Sequence, residues 1–233
     1  WILLYFDRFN GKEIFRKNRN TLRFLLSNLY DFDIKKDALP FEQLMSIDQY
    51  ALQTLAELNK QVIKAYDDYD FTLVSHKMSD YCSAELSAFY LDIIKDRLYV
   101  EKADGQLRRS AQTACWYILD TLTKLLAPIM SFTAEQVSDC YQKDKKESIH
   151  LQKFSSLDSI PHGIDVDRWH LLREIRSAVL KSIEGLREKG IVKHSLEAQV
   201  TIYVDGNAPF AKQFDALVKD LEHTNQGAEG FFK

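Results

Sequence analysis

The sequence predicts a mainly α protein: a helical bundle over residues 1–145, then a small α/β region over 146–233. Three observations carry this. Glycine (8) and proline (4) are too scarce for a turn-rich β fold. Apolar residues recur every three or four positions through four long stretches before residue 130. After QKDKKES the pattern changes, and residues 197–204, EAQVTIYV, alternate with β-branched residues.

In the first helix, predicted over 12–29, Phe15, Leu22, Leu25, Leu26 and Leu29 share one side of an ideal wheel. Arg16, Arg19, Asn20 and Arg23 gather on an adjoining arc. Pro40 follows a turn-prone stretch, and the second helix is expected over 46–69. Ser46 and Asp48 suit its start, where side-chain acceptors and negative charge are favoured. The third, over 71–98, carries the stripe Phe71, Val74, Met78, Cys82, Leu86, Phe89 and Ile93, which needs partner helices to cover it. Asp104-Gly105 marks a turn. The fourth helix is expected over 106–127, and Pro128 ends it. Thr133 with Gln136 resembles a capping box opening a short helix to Tyr141. Beyond it, SIHLQKF (148–154) reads as a short strand, 165–189 as a helix and 209–221 as another.

Composition excludes several functions. A net charge of −3 rules out a surface that grips nucleic acid everywhere, so any such contact uses one face. Cys82, Cys115 and Cys140 form no CxxC pair and read as buried free thiols in a reducing compartment. No apolar run approaches the roughly 20 residues that span a bilayer. The start at Trp1, without an initiator Met or signal peptide, is the expectation for a piece of a longer chain.

Catalytic signatures are missing: there is no GxSxG, HExxH, GxxxxGK[ST] or GxGxxG. The six histidines do not pair at metal-ligand spacing and read as surface or capping residues. Asp67, Asp68 and Asp70 lack the glycine and distal glutamate of a calcium loop, so they read as a solvated helix end. Asp92 and Asp96 share a helix face, but Lys95 beside them points to a salt-bridged surface rather than an acid–base pair. No catalytic and no metal-ligating residue is therefore assigned.

Two basic groups remain. Arg16, Arg19, Asn20 and Arg23 form the first; guanidinium groups grip phosphates with two donors, and Asn can read sugars or base edges. Lys95, Arg97, Arg108 and Arg109, with Lys102 and the ring of Tyr99, form the second, at one bundle end. The competing reading is a helical protein-interaction module whose basic residues only solubilise it. A self-contained enzyme using Asp92 and Asp96 is a weaker rival.

Several stretches carry a family likeness in the family's order. RNTLRFLLSNLYDFD (19–33), LSAFYLDIIKDRLY (86–99), RRSAQTA (108–114), LLAPIMSFTAEQV (125–137), SIHLQKF and SLEAQVTIY (195–203) resemble the anticodon-binding domain of bacterial-type isoleucyl-tRNA synthetases. The match covers most of residues 14–204. LAPIMSFTAEQ alone would say only class Ia synthetase; the RNTxRF and KDRLY pair points to the isoleucine family. The likeness implies a parent enzyme that activates isoleucine with ATP and Mg2+ and loads it onto tRNA(Ile), with zinc in a C-terminal module outside this chain. The HIGH and KMSKS signatures are absent; Lys77-Met78-Ser79 reads as a chance match on an apolar helix stripe. The implied role of this portion is non-catalytic and cofactor-free: it binds the inner side of the tRNA and reaches toward the anticodon through Arg16, Arg19, Asn20, Arg23, Lys95, Arg97, Arg108 and Arg109. Its implied partners are tRNA(Ile) and the remaining synthetase domains. The implied protein is monomeric and cytoplasmic, with no membrane association.

Overall fold

A computed structural model describes residues 11–161, 166–194 and 197–205, with single positions at 211, 214 and 215. The chain divides into two compact units, Trp1–His162 and Gly163–Lys233.

The first unit is a helical bundle: α1 (Gly11–Ser27), α2 (Ser46–Asp67), α3 (Phe71–Asp80), a π-helical segment (Tyr81–Tyr90), α4 (Leu91–Val100), α5 (Gln106–Leu126) and α6 (Ser131–Tyr141). Side-chain bonds set the directions. Asp31, just after α1, meets Arg108 and Gln112 near the start of α5, so α1 and α5 run antiparallel. Tyr66 near the end of α2 donates to the Leu125 carbonyl near the end of α5 (2.7 Å), so those two run parallel.

The third predicted helix is one continuous rod, α3 through α4, with the π segment inside it. Among its buried residues, Met78, Cys82, Leu86, Tyr90, Ile94 and Leu98 recur at every fourth position. In an unbroken α-helix a four-residue step drifts by about 40°, so Met78 and Leu98 would face about 200° apart. An i→i+5 stretch holds more residues per turn and takes back much of that drift. The Leu91 amide bonds to the Leu86 carbonyl five residues back, which is this geometry. Consequently Ile94, not Ile93, lies in the core.

One buried polar centre joins four segments. The Asp48 carboxylate is 0% exposed. It accepts two bonds from Arg97 (3.1 and 3.0 Å), one from the Tyr90 hydroxyl (2.8 Å) and one from the Ser110 hydroxyl (2.5 Å). Ser110 in turn accepts from the Met45 amide (2.8 Å). Burial pushes the Tyr90 hydroxyl well above its ordinary pKa, so it remains a donor. Burial disfavours the Arg97 cation, but the Asp48 charge outweighs it and raises the Arg97 pKa. Asp48 does lie in the first turn of α2, as its spacing from Ser46 suggests, but its carboxylate is used in this network and α2 begins behind Met45 with no side-chain cap.

Other expectations change. The capping box at Thr133 and Gln136 does not form, because α6 begins earlier, behind Met130, without a side-chain cap. Residues 149–151 make a 3-10 turn rather than a strand: Glu135 accepts from the Ser148 hydroxyl and the Ile149 amide (2.9 and 3.1 Å) and pins the segment to α6. This stretch belongs to the first unit. Ser155 bonds Asp120 (2.9 Å), Asn59 donates to the Ser155 carbonyl (2.8 Å), and Phe154 stacks on Tyr66 (5.7 Å). The first compact unit thus extends through His162. Cys82 and Cys115 are buried, whereas Cys140 is exposed. Burial pushes the Cys82 thiol up to about 12 and the Cys115 thiol also upward.

The second unit contains α7 (Val166–Glu188), which buries Trp169, Leu172, Val179 and Ile183 along one stripe. Residues 198–204 form no strand ladder among the described residues, where a strand was expected. They line an apolar groove of about 460 Å3 with Ile175, Val179 and Ile183 of α7. The helix expected over 209–221 lies outside the described residues except at three positions.

Two predictions follow from this packing. Replacing Asp48 by Ala strands Arg97 as an uncompensated buried cation, so urea denaturation should show a loss of about 3–5 kcal/mol; a loss below about 1 kcal/mol contradicts the network. In the native protein a thiol reagent should label Cys140 quickly and Cys82 and Cys115 only upon unfolding, which peptide mass mapping reads directly.

Candidate nucleic-acid interface

Helix α1 is amphipathic because its inner stripe, Asn18, Thr21, Leu22, Leu25, Asn28 and Leu29, is buried at helical spacing. On a 100° wheel, Arg16, Arg19, Asn20 and Arg23 fall about 100–200° away from that stripe, and all four are exposed. Arg16 is engaged by Glu13 through a two-point contact (2.8 and 3.1 Å). Arg19 and Arg23 have no ion pair among the described residues. The predicted first basic group is thus brought together on one solvent-facing arc. Phe15, expected in the core, is 42% exposed near the start of the helix.

The second predicted group is divided by burial. Arg97 is 8% exposed and spent on Asp48. Arg108 is 5% exposed. It binds Asp31 with both terminal nitrogens and donates to the carbonyls of Leu98 and Ala103, each at 3.2 Å. Placing these two on an outer surface was an error of sequence reasoning: both sit beneath it. Arg109 is partly buried, donating to the Asp31 carbonyl (3.0 Å) and to Gln112 (2.8 Å). Lys95 is exposed and paired with Asp92 at 2.7 Å, as the salt-bridged reading of that face expects. Tyr99 is exposed.

Asp31 is the residue that sequence reasoning missed. It gathers Arg108 and Gln112 on its carboxylate, and Gln112 also donates to the Asn28 carbonyl (2.9 Å). The α1 end is thereby tied to the start of α5. The signal available in the sequence was an acid in NLYDFD facing a twin arginine in a helix-opening RRSAQ. Partial burial works to raise the Asp31 pKa, but hydrogen bonds from Arg108 and Gln112 bring it below its ordinary value of 3.8. The bond to Asp31 raises the Arg108 pKa, so the guanidinium stays charged.

The acidic residues hold the fold. Asp70 caps α3 by accepting from the Leu73 amide (2.9 Å). No group of three His, Cys, Asp or Glu among the described residues is placed to hold a metal ion. Lys77-Met78-Ser79 lies inside α3 and its adjoining turn of helix, with Met78 fully buried, so it is not a phosphate loop. No described helix is long and apolar enough to cross a membrane.

Helix α1 thus presents a one-sided cationic face on an α bundle. Residues 48–202 match the family described as the anticodon-binding domain of tRNA ligase, and the chain belongs to that family. It is similar to the isoleucine–tRNA ligases of Carboxydothermus hydrogenoformans (44% identity over 83% of this chain and 21% of that protein) and Coxiella burnetii (43%, over 84% and 21%). The isoleucine–tRNA ligase of Azoarcus sp. is 44% identical over 90% of this chain and 22% of its own length. The chain spans about a fifth of the length of these relatives.

The Asp31 pairing makes an acid-sensitive contribution to stability. Its folded pKa lies below the unfolded one, so the contribution is complete above about pH 5 and is lost as pH falls through the folded value. The stability gap between the wild type and Asp31→Asn, read by urea titrations at several pH values, should therefore shrink below about pH 4. A pH-independent gap contradicts it.

Proposed function

We propose that this chain is the tRNA-binding portion of an isoleucine–tRNA ligase. Membership in the anticodon-binding family supports the reading, as does the likeness to isoleucine–tRNA ligases over most of the chain. The observation that carries it is the exposed arc of α1, where Arg19 and Arg23 have no acidic partner among the described residues and Asn20 stands between them. Arginines free to make two-point contacts fit a phosphate backbone, and a restricted face fits the net charge of −3. Arg16 shares the arc and can exchange Glu13 for a phosphate, since both partners are solvent-exposed. Arg109 and Lys95 border the bundle end and contribute charge there, while Arg97 and Arg108 act by holding the helices that carry it.

The proposed whole protein is a cytoplasmic monomer that activates isoleucine with ATP and Mg2+ and transfers it to tRNA(Ile). We assign that chemistry to parts of the ligase outside these residues, together with any zinc module. Here the work is orientation: phosphate contacts supply most of the affinity and fix the tRNA on the scaffold.

Titrating the chain with tRNA(Ile) at several salt concentrations tests this. Arg19→Ala with Arg23→Ala should weaken binding several-fold and lower the log–log salt slope by about one per arginine, with the thermal midpoint unchanged. Unchanged affinity and slope would sink the assignment and leave a protein-interaction module.

A further inference from the structure

At the end of α1 the chain places an aromatic ring where the cationic arc stops. Tyr30 is seven residues beyond Arg23, and the intervening backbone continues to wind, with 3.2 Å bonds from the Asn28 and Leu29 amides to Leu25 and Leu26. The Tyr30 side chain is among the most exposed large apolar groups of the bundle, at 76%. Yet it is not loose: the Arg108 guanidinium lies over the ring, 5.9 Å from its centroid. Arg108 is itself immobilised by Asp31 and by the Leu98 and Ala103 carbonyls. A buried, fully engaged cation thus braces one side of an exposed ring.

A ring braced in this way gives up little freedom when something flat lies on it. A cationic track followed by an aromatic ring is the combination that holds single-stranded nucleic acid: charge follows the backbone and the ring takes a base. We propose that Tyr30 stacks on an unpaired nucleobase of an RNA loop whose phosphates lie along Arg19 and Arg23, with Arg108 and Asp31 as positioning residues that fix the ring. This rests on the tRNA-binding reading above and gives that surface a base-contacting element. It also assigns Arg108 a part in binding that its burial denies it directly. Tyr69 provides the contrast. It is 80% exposed, but its ring meets Phe71, and among the described residues no cation lies over it.

The test uses the full chain and an RNA hairpin with the stem and loop of the tRNA(Ile) anticodon arm, carrying 2-aminopurine at each loop position in turn. Wild-type binding should change the fluorescence strongly at one loop position. Tyr30→Ala should abolish that change and weaken binding by about 5- to 150-fold, leaving the salt slope intact. Tyr30→Phe should retain both signal and affinity, and Tyr69→Asn should behave as wild type. Should the alanine variant lose thermal stability, Tyr30→Leu, which keeps apolar bulk without a ring, serves in its place. Binding that the Arg19 and Arg23 replacements weaken but the Tyr30 replacements spare overturns this inference alone. A wild-type chain that binds no hairpin overturns it together with the tRNA-binding reading.

Discussion

The bundle turns on a carboxylate with no access to water. Asp48 opens α2, and its acceptor sites are filled from the π segment, α4 and α5 by Tyr90, Arg97 and Ser110. Burying a carboxylate and a guanidinium is costly in itself, and only a fully satisfied network offsets it. That requirement constrains the rest. Arg97 reaches Asp48 only if α4 has the right phase, and the π segment sets that phase. Ser110 reaches it only if α5 starts at the right height, and Arg108 and Arg109 lock that start to Asp31. An apolar core would tolerate small rotations of these helices; a multi-point ionic centre tolerates far fewer.

The same architecture sorts arginines by task. Those in KDRLY and RRSAQ are turned inward and braced by acids, so they determine where helices stand. Those on α1 face solvent, and two lack an acidic partner among the described residues. The stretches that carry the family resemblance hold arginines of both kinds. The acidic excess is compatible with a cationic arc because much of the acid is consumed internally or in local pairs, as with Asp31, Asp48 and Glu135.

Much of the bundle was legible from spacing. The four long helices were expected within two residues of their ends. What spacing could not supply was partner identity. Asp48 at the start of a helix looks like a dipole-favoured acid until Arg97, 49 residues away, closes on it. Ile93 fits an ideal 3.6-residue stripe, and only the π segment exchanges it for Ile94. SIHLQKF has strand-like alternation, but Glu135 supplies the acceptors that hold it as a turn. For the candidate interface, exposure was the missing variable: Arg19 and Arg97 are equally basic on paper, and tertiary pairing alone separates them. Tyr30 escaped notice because a lone tyrosine in a turn carries no pattern; its meaning comes from the arginine behind it.

On the proposed function, inward arginines build the scaffold and the α1 arginines meet RNA. Arginine modification with phenylglyoxal, mapped by peptide mass spectrometry with and without tRNA(Ile), tests it most directly. Arg19 and Arg23 should react in the free protein and be shielded in the complex, while Arg97 and Arg108 stay unreactive in both. Reaction of Arg97 and Arg108 in the free protein with shielding by tRNA, or undiminished reaction of Arg19 and Arg23 in the complex, would contradict it.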